Sequence, residues 1–136
     1  MHSSYTFKDK GDFLVLTIKG DYDYWEFIKY PKIIKKKCED LKNNKVLVDL
    51  VPVKYNEIPT IELFFLGEIL ADTLRDKIKM ALVWTGKDEK LFLQAVANNR
   101  AACLRIFDII KTAEFWLLYD REDEPLGLLK PNPRPK

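Results

Sequence analysis

Four acidic residues stand where a small α/β chain could use them. Asp21 and Asp23 follow the second predicted strand, Asp49 lies within the third, and Glu57 lies in the loop beyond it. Ligands of open parallel sheets bind outside the carboxyl ends of the strands. These acids could therefore share one cleft, and two carboxylates tuned apart can carry acid and base chemistry. Asp is also favoured in such turns for backbone reasons alone, and we read these residues as turn and helix-start acids. Other chemistry is short of parts. The one histidine is His2, near a terminus, which sets aside Ser-His-Asp and Cys-His catalysis and a histidine-based zinc site. The sequence has no G-x-G-x-x-G, no Walker loop and no G-x-S-x-G. "TGKD", Thr85 to Asp88, places a Gly-Lys pair after a strand but lacks the further glycines and hydroxyl that cradle phosphate. It reads as a strand-to-helix turn. The expectation is a chain without catalysis, cofactor or metal.

The elements that would position these residues follow from periodicity. "YTF" and "FLVLTI" form a hairpin around the turn residues of "KDKGD", and Gly20 and Asp21 are expected to break the second strand. Helical spacing runs from Tyr24 to Leu41, with Trp25, Ile28, Ile34, Cys38 and Leu41 facing inward. Pro31 either kinks this helix or starts a second one. Lys35, Lys36 and Lys37 read as its solvated face. "KVLVDLV" is a strand covered on both faces. A helix from about Thr60 to Leu74 follows, with Glu62, Glu68, Asp72 and Arg75 as its wet stripe. Then come strand "KIKMALVW", helix "DEKLFLQAVANN", strand "CLRIFD" and helix "KTAEFWLLY", with Thr112 as a candidate cap. Phe64, Phe65, Phe92, Phe115 and Trp116 are expected to cover the sheet. The order β-β-α-β-α-β-α-β-α implies an α/β domain with a mostly parallel central sheet flanked by helices.

The bulk properties fit one such domain. The chain has 136 residues, 47% apolar and 32% charged, with a net charge of +2. That is enough to bury a core without staples, and too weakly basic to indicate nucleic acid. Cys38 and Cys103 are expected to be buried free thiols in a reducing cytosol. The N-terminus "MHSSYTFKDK" carries no apolar signal core, and no run reaches the length of a membrane span, so a cytoplasmic location is expected. After Tyr119 the composition changes. Residues 120–136, "DREDEPLGLLKPNPRPK", read as a charged, proline-rich tail on a domain of residues 1–119. Leu126, Leu128 and Leu129 form an apolar island that would dock on the domain or on a second copy. Beyond Lys130 disorder is expected.

Four ordered stretches carry a family resemblance. "FLVLTIKGDYD", "VLVDLV", "GEILADTLRDKIKMALVWTG" and "AVANNRAACLRIFDIIKTAEFWL" resemble bacterial STAS-like domains, the group related to anti-sigma-factor antagonists. The last stretch is similar to the family's Asn-Arg-Gly run, strand, and helix ending in Trp-Leu, with Ala101 in place of the glycine. Asn99 would then take the left-handed turn, and Arg100 would pair with Asp72, Glu68 or helix-end carbonyls, or hold an anion. The resemblance spans about residues 5–119. It implies a domain that works by binding partners, with a serine at the start of the helix after the third strand phosphorylated by a kinase. The family's Asp-Ser-Ser-Gly falls on Glu57-Ile58-Pro59-Thr60, so both serines are missing. Thr60 would either cap the helix or carry the phosphate.

The expected working surface is therefore the loop Val53 to Thr60 with the neighbouring Thr85 to Asp88. Tyr55, Asn56, Glu57, Thr60, Thr85 and Lys87 would contact a protein partner. The alternative is a carrier of a small apolar ligand held beside Phe64, Phe65 and Trp84. A homodimer through the tail or the first strand edge is a further expectation.

Overall fold

The computed structural model describes residues 3–75, 77–86, 88–98 and 103–120. Strand β1 (Ser3–Asp9) turns into β2 (Leu14–Asp21) around Gly11, whose φ of 89° suits a residue without Cβ. The Asp9 carboxylate accepts the Gly11 N–H at 2.8 Å and closes the turn. β2 does not break at Gly20 and Asp21. It runs through both, because Ser3 of β1 pairs with Gly20 and a short strand β4 (Val53–Lys54) pairs with Gly20 and Asp21. Next come α1 (Tyr24–Phe27), α2 (Tyr30–Leu41) and β3 (Lys45–Asp49), then β4 and α3 (Thr60–Leu74). The chain ends in β5 (Lys79–Val83), α4 (Asp88–Asn98), β6 (Cys103–Phe107) and α5 (Ile110–Tyr119).

Pro31 starts a second helix rather than kinking one. It sits in the first turn of α2, where a missing N–H costs nothing. The break rotates α1 out of phase with α2, so Trp25 is 69% exposed and not part of the core. α2 ends in the left-handed residue Lys42, with the Asn43 N–H returned to the Cys38 carbonyl at 3.0 Å.

The strand order is β1-β2-β3-β5-β6, antiparallel at the β1-β2 pair and parallel elsewhere. β4 lies beside β2 in the lane that β3 vacates after Asp49. Period two then sorts the side chains. Leu14, Leu16, Ile18, Val48 and Leu82 pack with Ile34, Leu63 and Leu93 of α2, α3 and α4. Leu47, Ala81, Val83 and Phe107 face the other way, onto Ala113, Trp116 and Leu117 of α5. Each fully buried aliphatic side chain contributes roughly 1.5–3 kcal/mol.

Other expectations are corrected. α5 begins at Ile110 with Ile109 as its N-cap, so Thr112 is not a cap. Its C-terminus is instead closed by Lys79, whose Nζ donates to the Trp116 carbonyl at 2.8 Å and to the Asp120 carboxylate. Cys38 is buried but Cys103 is exposed, and both are free thiols. Phe65 and Phe92 remain 42% and 37% exposed rather than covering the sheet. Lys35 and Lys37 are half-buried, and only Lys36 of that run is exposed. Asn99, Arg100, Ala101 and the tail from 121 onward lie outside the described residues.

Candidate functional site

The loop after β3 is built by local bonds before it presents anything. Asp49 ends the strand with its carboxylate on the Val51 N–H at 3.0 Å, an Asx turn. The Leu50 N–H continues to the Val83 carbonyl of β5 at 2.9 Å. β4 is held from the other side by the Tyr22 N–H on the Lys54 carbonyl at 2.8 Å. Asp23 is occupied as the N-cap of α1, accepting from the Glu26 N–H at 3.1 Å. Two of the four acids thus carry backbone duties, while Asp21 and Glu57 are exposed.

Tyr55 anchors the loop. Its ring leans on Trp84 at 5.5 Å between centroids. Burial, with the Glu89 charge adding to it, pushes the hydroxyl pKa up. Gly86 makes this possible, since a Cβ there would lie 2.7 Å from the Tyr55 Oη and 3.2 Å from the Trp84 ring. Ile58 is the second anchor, 6% exposed in the core. Between and beyond the anchors, Asn56, Glu57, Pro59 and Thr60 point to solvent, and Thr85 does so across the neighbouring strand end. Lys87 lies outside the described residues.

The capping role of Thr60 is corrected. The N-cap of α3 is Pro59, with no side-chain cap bond, and Thr60 is the exposed first helical residue. Residue-type preference placed the cap one position late. The first turn is fastened instead by Glu62, whose carboxylate accepts the Tyr22 hydroxyl at 2.8 Å. Burial and this bond push the Tyr22 pKa far above its ordinary value. Glu62 therefore leaves the expected wet stripe, and Ile61, 58% exposed, joins the solvent side with Val51 at 52%. Gly86, Tyr22 and Ile61 were not singled out as site residues in the sequence. Their roles depend on neighbours distant along the chain.

Below the loop lies an apolar cavity of about 70 Å³, walled by Ile18, Tyr22, Tyr55, Ile58, Leu82 and Trp84 among others. Trp84 lines it as expected. Phe64 and Phe65 do not; their rings meet edge to face at 5.6 Å between centroids, Phe64 half-buried and Phe65 exposed. No group of three or more His, Cys, Asp or Glu among the described residues could hold a metal ion. No helix among them is long and apolar enough to cross a membrane.

A mixed sheet with one antiparallel edge, helices on both faces and a loop leading into α3 makes a STAS-type, SpoIIAA-like fold. An anti-sigma factor antagonist from Mycobacterium paratuberculosis superposes with a TM-score of 0.60 at 16% identity, over 85% of this chain and 94% of that one. A protein with a SpoIIAA-like fold from Shewanella loihica superposes with a TM-score of 0.52 at 12% identity, over 86% and 95% of the two chains. No protein-family model and no curated protein matches the sequence.

Proposed function

We propose that this chain is a non-catalytic regulatory module that binds a protein partner through the loop from Val53 to Thr60, the start of α3 and the Thr85 turn. One observation carries the reading. A loop pinned from below by Tyr55 and Ile58 holds Asn56, Glu57, Thr60 and the apolar Val51 and Ile61 in solvent. Fixing the backbone beforehand lowers the entropy cost of association. Exposed apolar side chains ringed by polar ones suit a protein surface. The likeness in fold to an anti-sigma factor antagonist supports the same reading. Thr60 is the residue at which phosphorylation would act, adding nearly two negative charges where the helix dipole favours them.

The apolar-ligand reading has a cavity but little room. Its 70 Å³ is well below the roughly 300–1,000 Å³ of a small-molecule site.

The test is native mass spectrometry of the full chain taken gently from its own host, alongside Ile61→Glu. The expected result is a second protein retained by the wild type and lost by the variant, with Tm unchanged because Ile61 packs against little. A phosphate-sized mass increment that disappears in Thr60→Ala would place the switch. A small-molecule adduct on both chains, with no second protein, would overturn the reading in favour of a carrier.

A further inference from the structure

The two edges of the sheet are treated differently. At β6 the outward amides are closed by α4. The Leu104 N–H donates to Asn98 Oδ1 at 3.3 Å, and the Ile106 N–H to Gln94 Oε1 at 2.7 Å. At β1 the alternation of an antiparallel pair decides which groups face out. The Ser3 N–H turns away from β2 to Glu26 Oε1 at 3.0 Å, and the Lys10 N–H turns inward to the Phe13 carbonyl at 3.0 Å. Even-numbered residues therefore pair with β2, and Tyr5 and Phe7 direct their backbone groups outward. Among the described residues nothing closes those amides.

Beside this open edge runs a groove of about 420 Å³ between β1 and α2. Tyr5, Phe7 and Ile33 form its apolar floor, and Lys32, Lys36 and Lys37 form its rim. Its acid, Asp40, lies 3.6 Å from Lys36 with both side chains exposed, a pair too solvated to neutralise the rim. Lys37 lies over the Phe7 ring at 5.3 Å.

We propose that this groove takes an extended acidic segment of a partner protein, which joins the sheet as a strand beside β1. A strand placed one spacing out, about 4.8 Å away, completes the Tyr5 and Phe7 hydrogen bonds. Its alternate side chains then fall between β1 and α2, where carboxylates meet the lysines. Strand addition takes affinity from the main chain and specificity from such alternate pockets. A second copy is disfavoured, because pairing two β1 edges about a twofold axis brings two lysine rims together. A polyanion without a peptide backbone cannot complete the ladder. This surface flanks the sheet and is independent of the loop at its carboxyl end.

The experiment uses the full chain and a fluorescein-labelled decapeptide of alternating Glu and Thr, with a Lys-Thr decapeptide as control. Fluorescence anisotropy should rise with the acidic peptide alone. Lys32→Glu/Lys36→Glu/Lys37→Glu should weaken binding about tenfold or more. Two further peptides keep the protein intact, one N-methylated at every Glu amide and one at every Thr amide. Only one set of amides faces β1, so one peptide should lose binding and the other keep it. No preference for the acidic peptide overturns the proposal. Equal binding of both methylated peptides also overturns it, reducing the effect to charge attraction. Binding that appears only in a full chain carrying E122K/D123K/E124K assigns the groove to the chain's own tail and overturns it as well.

Discussion

Gly86 shows how much one residue decides. A Cβ at this position would meet the Tyr55 hydroxyl at 2.7 Å and two Trp84 ring atoms at 3.2 Å. Trp84 is 5% exposed and packed into the core, so it cannot yield. Tyr55 must move, and the loop it anchors moves with it. Gly86→Ala should therefore lower stability by about 1–3 kcal/mol, the usual cost of overpacking. The specific signature is rescue. Tyr55→Phe removes the atom in closest conflict, so the cost of Gly86→Ala should shrink in that background. Urea midpoints for the four chains of this cycle give the coupling directly. Equal costs in both backgrounds would show that Tyr55 is not the obstacle. The sequence offered this glycine only as part of a turn, because the ring above it comes from a loop some thirty residues away.

At the scale of elements, the sequence was readable where order is local. Alternating apolar runs and helical spacing locate every long strand and helix, and the mixed sheet follows from their order. What it hid depends on pairing across the chain. β4 is two residues long and exists because β2 offers it a partner at Gly20 and Asp21. The same pairing, with that of Ser3 on Gly20, carries β2 past the glycine that should have ended it. Trp25 looked like core while α1 and α2 were read as one continuous period. The sheet edges belong to this class too, since the closing amides of Gln94 and Asn98 lie on a helix. Gln94→Ala should cost about 1 kcal/mol, the net worth of one hydrogen bond. Hydrogen exchange locates the loss. The Ile106 amide should exchange slowly in the wild type and fast in the variant, while Tyr5 and Phe7 exchange fast in both. A slow Tyr5 amide in the free chain would mean that the β1 edge is already covered.

At the scale of the whole molecule, the buried proton-holding groups set the pH limits. Burial, then the Glu39 charge, pushes the Cys38 thiol from its ordinary 9.0 up to about 11. Burial raises the Tyr22, Tyr30 and Tyr55 hydroxyls in the same direction. A group that holds its proton more tightly when folded favours the folded state while it stays protonated. That stability is fully present below the ordinary value and is lost as pH rises through the folded one. On the acid side the one resolved shift among the described residues is a lowering of Asp120, caused by its bond to Lys79. Its contribution is present above the ordinary carboxylate range and fades below it. Asp120 is exposed, so that contribution is small. The molecule should thus lose stability from pH 9.0 upward, by no more than about 3 kcal/mol from Cys38. The tyrosines extend the fall to higher pH. Urea unfolding between neutral and strongly alkaline pH measures the slope. Cys38→Ala should flatten the first part of the fall and leave the later part, which belongs to the tyrosines. An unchanged slope in that variant would mean that the thiol is as free to ionise in the folded chain as in the unfolded one.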